Sequence, residues 1–180
     1  MNLHVSTAAR RILAAAAVTC AAALAPAAAL ASPGAGAAPA ATTPPCATSG
    51  LDVWLDTQGK AALGTTYYNL EFTNLSGVSC TLSGYPAVSA VTLTGTPLGS
   101  GSFPSGGTPH TVTLANGATA HAVLGITDTA NFPPAQCHPV TAAGLQVHPP
   151  GQTQSKLAPF PFAACAKSGP IYLTTGPVQS

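Results

Sequence analysis

Between residues 32 and 180, the side chains able to move a proton are mainly four histidines and four carboxylates. The histidines are His110, His121, His138 and His148; the carboxylates are Asp52, Asp56, Glu71 and Asp128. No two histidines take the His-x-x-x-His spacing that sets two ligands on one helix face, and none has a carboxylate at helical spacing. Strands bring distant residues together, so a hydrolase pairing Asp56 or Asp128 with His121 or His138 stands as the second reading. Glycoside hydrolysis needs two carboxylates flanking a bond. Asp52 and Asp56 share a strand face about 13 Å apart by strand rise, too far for a retaining pair and rather far for an inverting one. A Gly-x-Ser-x-Gly elbow is missing, and Gly99-Ser-Gly-Ser102 reads as a flexible loop. Ser105-Gly106-Gly107 has neither the lysine nor the following helix of a phosphate-cradling loop. We therefore assign no catalytic residue and expect neither a metal nor a cofactor.

Two aromatic residues are candidates for ligand contact. Trp54 lies in Leu51-Asp-Val-Trp-Leu-Asp56, where Leu51, Val53 and Leu55 alternate with Asp52, Trp54 and Asp56. If the leucine face is the core, Trp54 is exposed beside two carboxylates, as in many polysaccharide-binding modules. Tryptophan is buried on average, so the core placement is the expected one. Tyr85 precedes Pro86 at a corner. A packing role with its hydroxyl on backbone is expected there, against a ligand-stacking role.

The elements that must carry these residues are short strands. Tyr68, Leu70 and Phe72 alternate with Tyr67, Asn69 and Glu71, and Val78, Cys80 and Leu82 resume the pattern after Asn74-Leu-Ser-Gly77. A hairpin is expected across that turn. Gln58-Gly-Lys60 reads as a turn after the first strand. Ala87–Thr94 is a further strand and Leu98–Phe103 a short edge strand. Asn116-Gly117 between Thr111–Leu114 and Ala118–Thr127 is the strongest hairpin signal. In the second of these strands Ala120, Ala122, Leu124 and Ile126 share one face, with His121 and Val123 on the other. Asp128–Pro139 is a long connection. Gly144–His148, Lys156–Ala158 and Ile171–Thr174 complete the strands, with Pro159-Phe-Pro-Phe162 extended. Many short strands separated by Gly and Pro predict an all-β, immunoglobulin-like antiparallel β-sandwich.

Cys46, Cys80, Cys137 and Cys165 form an even set with no Cys-x-x-Cys spacing, which implies two disulfides in an exported protein. Three pairings are open. Phe72-Thr-Asn74 followed by Cys80-Thr-Leu-Ser-Gly84-Tyr85-Pro86-Ala-Val88 resembles a family of secreted actinobacterial proteins, domain of unknown function 4232. The resemblance runs from Cys46 to about Thr174 and takes in Val112-Thr-Leu-Ala-Asn-Gly117, an Ala-rich strand and the two later cysteines. It implies an exported β-sandwich, often behind a signal or lipoprotein leader, and no activity. It also implies the pairs Cys46–Cys80 and Cys137–Cys165, which tie neighbouring parts of the chain. Each would close a loop of about 30 residues, worth roughly 3–4 kcal/mol by chain entropy.

Residues 1–31 read as a cleaved signal peptide. Arg10-Arg11 is a basic start, Ile12 to about Ala25 an apolar run, and Ala29-Leu30-Ala31 a small-x-small cleavage pattern. Cys20, preceded by Ala17-Val18-Thr19, fits a lipid-attachment signal poorly and belongs to the apolar run. Residues 32–45, all Ala, Pro, Gly, Ser and Thr up to the last position, read as a disordered tether, and residues 46–180 as the folded domain. Beyond the leader, Lys60, Lys156 and Lys167 face four carboxylates, a net charge of about −1 with no arginine. Nucleic acid and anionic membrane surfaces are thereby poor partners. The expected role is a non-catalytic exported domain at the cell envelope, with cell-wall polysaccharide or an envelope protein as partner.

Overall fold

The computed structural model describes residues 42–180; the leader and residues 32–41 of the tether lie outside the described residues. Eleven strands form the domain: β1 Leu51–Ala62, β2 Thr65–Asn74, β3 Cys80–Ser83, β4 Ala87–Val91, β5 Pro97–Leu98, β6 Phe103–Pro104, β7 Thr111–Leu114, β8 Thr119–Thr127, β9 Pro139–His148, β10 Lys156–Cys165 and β11 Leu173–Thr175. One sheet runs β1-β2-β8-β11-β6, the other β10-β9-β4-β5, and β3 pairs with β7. All pairings are antiparallel except β11 with β6. This is the expected all-β sandwich, and both expected disulfides, Cys46–Cys80 and Cys137–Cys165, are present.

Period-two alternation fills the core. Leu51 and Val53 of β1, Leu70 and Phe72 of β2, and Ala120, Ala122, Leu124 and Ile126 of β8 all turn inward. They meet Val88 and Ala90 of β4 and Leu145 and Val147 of β9 from the other sheet. Each fully buried Leu, Val or Phe contributes roughly 1.5–3 kcal/mol. Buried Thr175 links the layers: its hydroxyl donates to the Pro86 carbonyl at 3.0 Å.

Several local expectations are corrected. Gln58-Gly-Lys60 is not a turn. β1 runs through it with a register shift between Asp56 and Lys60, a bulge whose start Asp56 holds by accepting from the Gln58 N–H at 3.0 Å. Gly59 is needed for close approach, since a Cβ there would lie 2.5 Å from the Tyr68 ring. The true turn is Leu63-Gly64, with φ of 49° and 76°.

Neither predicted hairpin forms. β2 pairs with β1 and β8, whereas β3 pairs with β7. The two pairs are one antiparallel ribbon folded at a corner: the register sum is 192 for Thr73↔Thr119 and 194 for Cys80↔Leu114, so the ladder slips by only two across it. Asn74–Gly77 and Asn116-Gly117 carry the expected turn chemistry, but they mark where the chain passes between the five-stranded sheet and the β3–β7 pair. Gly117 takes φ 82° and the Ala118 N–H reaches the Ala115 carbonyl at 3.0 Å. Val78 consequently faces solvent instead of continuing the Cys80–Leu82 face.

The expected edge strand over Leu98–Phe103 is instead two fragments in different sheets, β5 on β4 and β6 on β11. Lys156–Ala158 and the following Pro-rich run are one strand, β10, at a sheet edge where proline needs no ladder partner. Pro44 and Pro45 already lie along β3: the Thr81 N–H donates to the Pro44 carbonyl at 2.9 Å, beside the Cys46–Cys80 bond.

Candidate functional site

The outer face of the five-stranded sheet gathers most of the chemistry-bearing side chains. Alternation turns Asp52, Trp54 and Asp56 outward on β1, Tyr67, Asn69 and Glu71 on β2, and Thr119, His121 and Val123 on β8. Register then sets them in rows across the strands. Trp54 stands opposite Glu71, Glu71 opposite His121, and His121 opposite Gln179 near the C-terminus. At one strand spacing per step, the row spans roughly 14 Å. A flanking row holds Asp52, Thr73 and Thr119, and another Asp56, Asn69 and Val123.

Trp54 is 44% exposed, which corrects the expected core placement. Leu51 and Val53 occupy the inner face of an edge strand, and strict alternation leaves the indole only the outer one. Its Nε1 donates to the Thr73 hydroxyl at 3.4 Å, and Thr73 shares a 2.9 Å hydrogen bond with Thr119, so the ring is directed across the sheet.

Tyr85 has the backbone-bonded role. Its hydroxyl lies 3.1 Å and 2.9 Å from the carbonyls of Gly106 and Gly107. Those glycines, with φ of 68° and 56°, form a loop beside the sheet face. Tyr85 therefore holds the loop.

The carboxylates and histidines of the hydrolytic reading are not brought together as expected. Asp56 holds the β1 bulge, and Asp128 accepts from the Ala130 N–H at 2.9 Å to cap a short 3-10 turn. His138 sits exposed after the helical turn Pro134–Cys137, its carbonyl accepting from the Ala166 N–H, and the His148 Nδ1 lies 3.1 Å from the Thr153 carbonyl. His110 is exposed ahead of β7. The carboxylate that folding sets against His121 is Glu71, which sequence reasoning placed only on a polar face. Partial burial raises the Glu71 carboxyl above its ordinary range; the charge of His121 works against that rise and Asp56 adds to it. Among the described residues, no three His, Cys, Asp or Glu side chains group to hold a metal. No helix of the described residues is long and apolar enough to cross a membrane.

Beside the row lies a cleft of about 390 Å³, lined by Tyr67, Val123, Gly125 and Thr174 of the sheet, by Ser105–Gly107, and by Gly176, Pro177 and Gln179. A smaller hollow of about 240 Å³ shares Tyr67 and Val123 with it. Sequence reasoning missed Tyr67 and Gln179. Alternation put Tyr67 on an outer face, but only the register of β8 and the C-terminal segment shows what lies next to it.

Fold and site together define a disulfide-stapled β-sandwich with a mixed aromatic and polar sheet face. The chain belongs to the family described as domain of unknown function (DUF4232), whose family model matches residues 46–179. No curated protein and no solved structure matches it.

Proposed function

We propose that the protein is an exported, non-catalytic recognition domain that binds polysaccharide of the cell envelope through the Trp54 face. The observation that carries this is the exposed indole of Trp54 in line with Glu71, His121 and Gln179. An indole offers an apolar plane to the C–H face of a sugar, while neighbouring carboxylate, imidazole and amide groups bond its hydroxyls. Export is supported by the leader-like residues 1–31 and by two disulfides, which persist in oxidising compartments. The −1 charge and absent arginine beyond the leader disfavour nucleic acid.

The test is a binding screen of the purified protein against cell-wall fractions and soluble polysaccharides, with Trp54→Ala in parallel. Binding that falls in a folded variant supports the reading. Retention of an envelope protein with no glycan bound would assign the face to protein contact instead.

One observation favours a second reading, a secreted hydrolase: Glu71 has a raised carboxyl and His121 as its neighbour. Turnover of a bound glycan that disappears in Glu71→Gln would establish it.

A further inference from the structure

The cleft beside the Trp54 row has three properties that together point to one kind of occupant. First, its lining includes no charged side chain: Tyr67, Ser105, Thr174 and Gln179 supply the polar groups, and glycine backbone supplies much of the remainder. An ionic ligand would lose water there without gaining a counter-charge. The carboxylates Asp52, Asp56 and Glu71 on the adjoining rows further disfavour an anion.

Second, the walls are fixed in place. The Tyr85 hydroxyl anchors the carbonyls of Gly106 and Gly107, and a Cβ on Gly107 would lie 2.9 Å from the Pro177 ring, so loop and C-terminal segment are in contact. Gly125 lies under close neighbours as well: a Cβ there would stand 2.5 Å from the Thr174 hydroxyl and 3.2 Å from the Tyr67 ring. A wall held this way costs little ordering when a ligand enters.

Third, the cleft continues the row. Gln179 exchanges backbone hydrogen bonds with His121 at 2.9 Å and 2.8 Å, and it also lines the cleft. Tyr67 remains 41% exposed at the same place, an aromatic ring beside an amide. An aromatic plane, an amide and hydroxyls around a neutral space of this size suit an uncharged polyhydroxyl ring.

We propose that this cleft is a subsite for one uncharged sugar ring of the polysaccharide that the Trp54 row receives, with Tyr67 as its stacking surface and Gln179 as its hydrogen-bonding group. The proposal rests on the polysaccharide reading above and adds the charge class and the second anchoring point.

Calorimetric titration of the purified protein tests it. The probes are neutral gluco-, manno- and galacto-oligosaccharides, with oligogalacturonate as the anionic comparison. The variants are Trp54→Ala, Tyr67→Ala and Gln179→Ala. We expect a neutral oligosaccharide to bind and each variant to weaken it by about tenfold, the scale of a contact residue. Oligogalacturonate is expected to bind more weakly than the neutral probe. If Trp54→Ala loses binding while Tyr67→Ala and Gln179→Ala keep it, the subsite is wrong and the Trp54 reading survives. If no glycan binds the unaltered protein, both fall. Tighter binding of oligogalacturonate would overturn the uncharged assignment. Should Tyr67→Ala unfold, Gln179→Ala decides, since that side chain is only half-buried.

Discussion

The side-chain amide of Asn74 donates to the backbone carbonyl of Leu114 at 3.0 Å, across 40 positions of chain. The same amide donates to the Val78 carbonyl at 2.8 Å, while its oxygen accepts from the Ser76 N–H at 3.0 Å and the Ser76 hydroxyl at 2.8 Å. Asn74 is fully buried at the corner where the β2–β8 ribbon becomes β3–β7. A single side chain thus replaces the ladder hydrogen bonds that the fold interrupts there.

Asn74→Ala should lower stability by about 2–4 kcal/mol, because it strands the buried Leu114 carbonyl as well as removing the other bonds of the amide. Urea unfolding measures it. A loss below about 1 kcal/mol would show that water replaces the amide at the corner.

Trp54→Ala should cost no more than about 1 kcal/mol, since the indole is nearly half in water. Thermal unfolding of this variant, run beside the binding assays, separates a surface role from a core one. A cost above about 3 kcal/mol would contradict the outward placement.

Glu71 predicts a pH effect. Its carboxyl is raised from the ordinary value of 4.5, chiefly by burial. The fold therefore favours the protonated form, and the stabilisation is full below that value and lost as pH rises through the folded one. Glu71→Gln should match the unaltered protein in strong acid and exceed it in stability at neutral pH. Melting curves across pH 3 to about 8 would show the two lines diverging as pH rises.

Tyr172 predicts a second pH effect at the alkaline end. The side chain is fully buried, its hydroxyl donates to the Leu98 carbonyl at 3.0 Å, and burial raises it from 10.0 to about 12. Its contribution to stability is complete below pH 10.0 and is lost as pH climbs through about 12. Ultraviolet titration should show an ionisation near pH 12, and Tyr172→Phe should remove that step.

Removing either disulfide should cost roughly 3–4 kcal/mol, since the closed loops are of similar length. The bonds span separations of 34 and 28 residues. Paired alanine substitutions at Cys46 and Cys80, and at Cys137 and Cys165, compared by denaturant unfolding, test this. Near-equal losses are expected; a negligible loss for one pair would mean that its surrounding hydrogen bonds already hold that segment.

The face carrying Trp54 was half legible. Leu51-Asp-Val-Trp-Leu-Asp states that Trp54 shares a side with Asp52 and Asp56. It does not state which side faces the other sheet, because both contain large apolar groups. Average tryptophan burial then favoured the wrong side. What decides is that β1 is an edge strand whose inner face Leu51 and Val53 already fill.

By itself the sequence determined the all-β class, the strand faces over most of the chain and the number of disulfides. Those are local properties: period-two alternation, glycine and proline punctuation, and an even cysteine count. Only the tertiary structure decided which strands pair. Asn74–Gly77 and Asn116-Gly117 carry the same φ/ψ preferences whether the chain turns back on itself or passes into a separate strand pair. Their meaning as a corner depends on β2 meeting β8 and β3 meeting β7, contacts between residues some 28 to 62 positions apart. The line from Trp54 through Glu71 and His121 to Gln179 exists for the same reason. No two neighbours in it are close in sequence, so only strand register could assemble them.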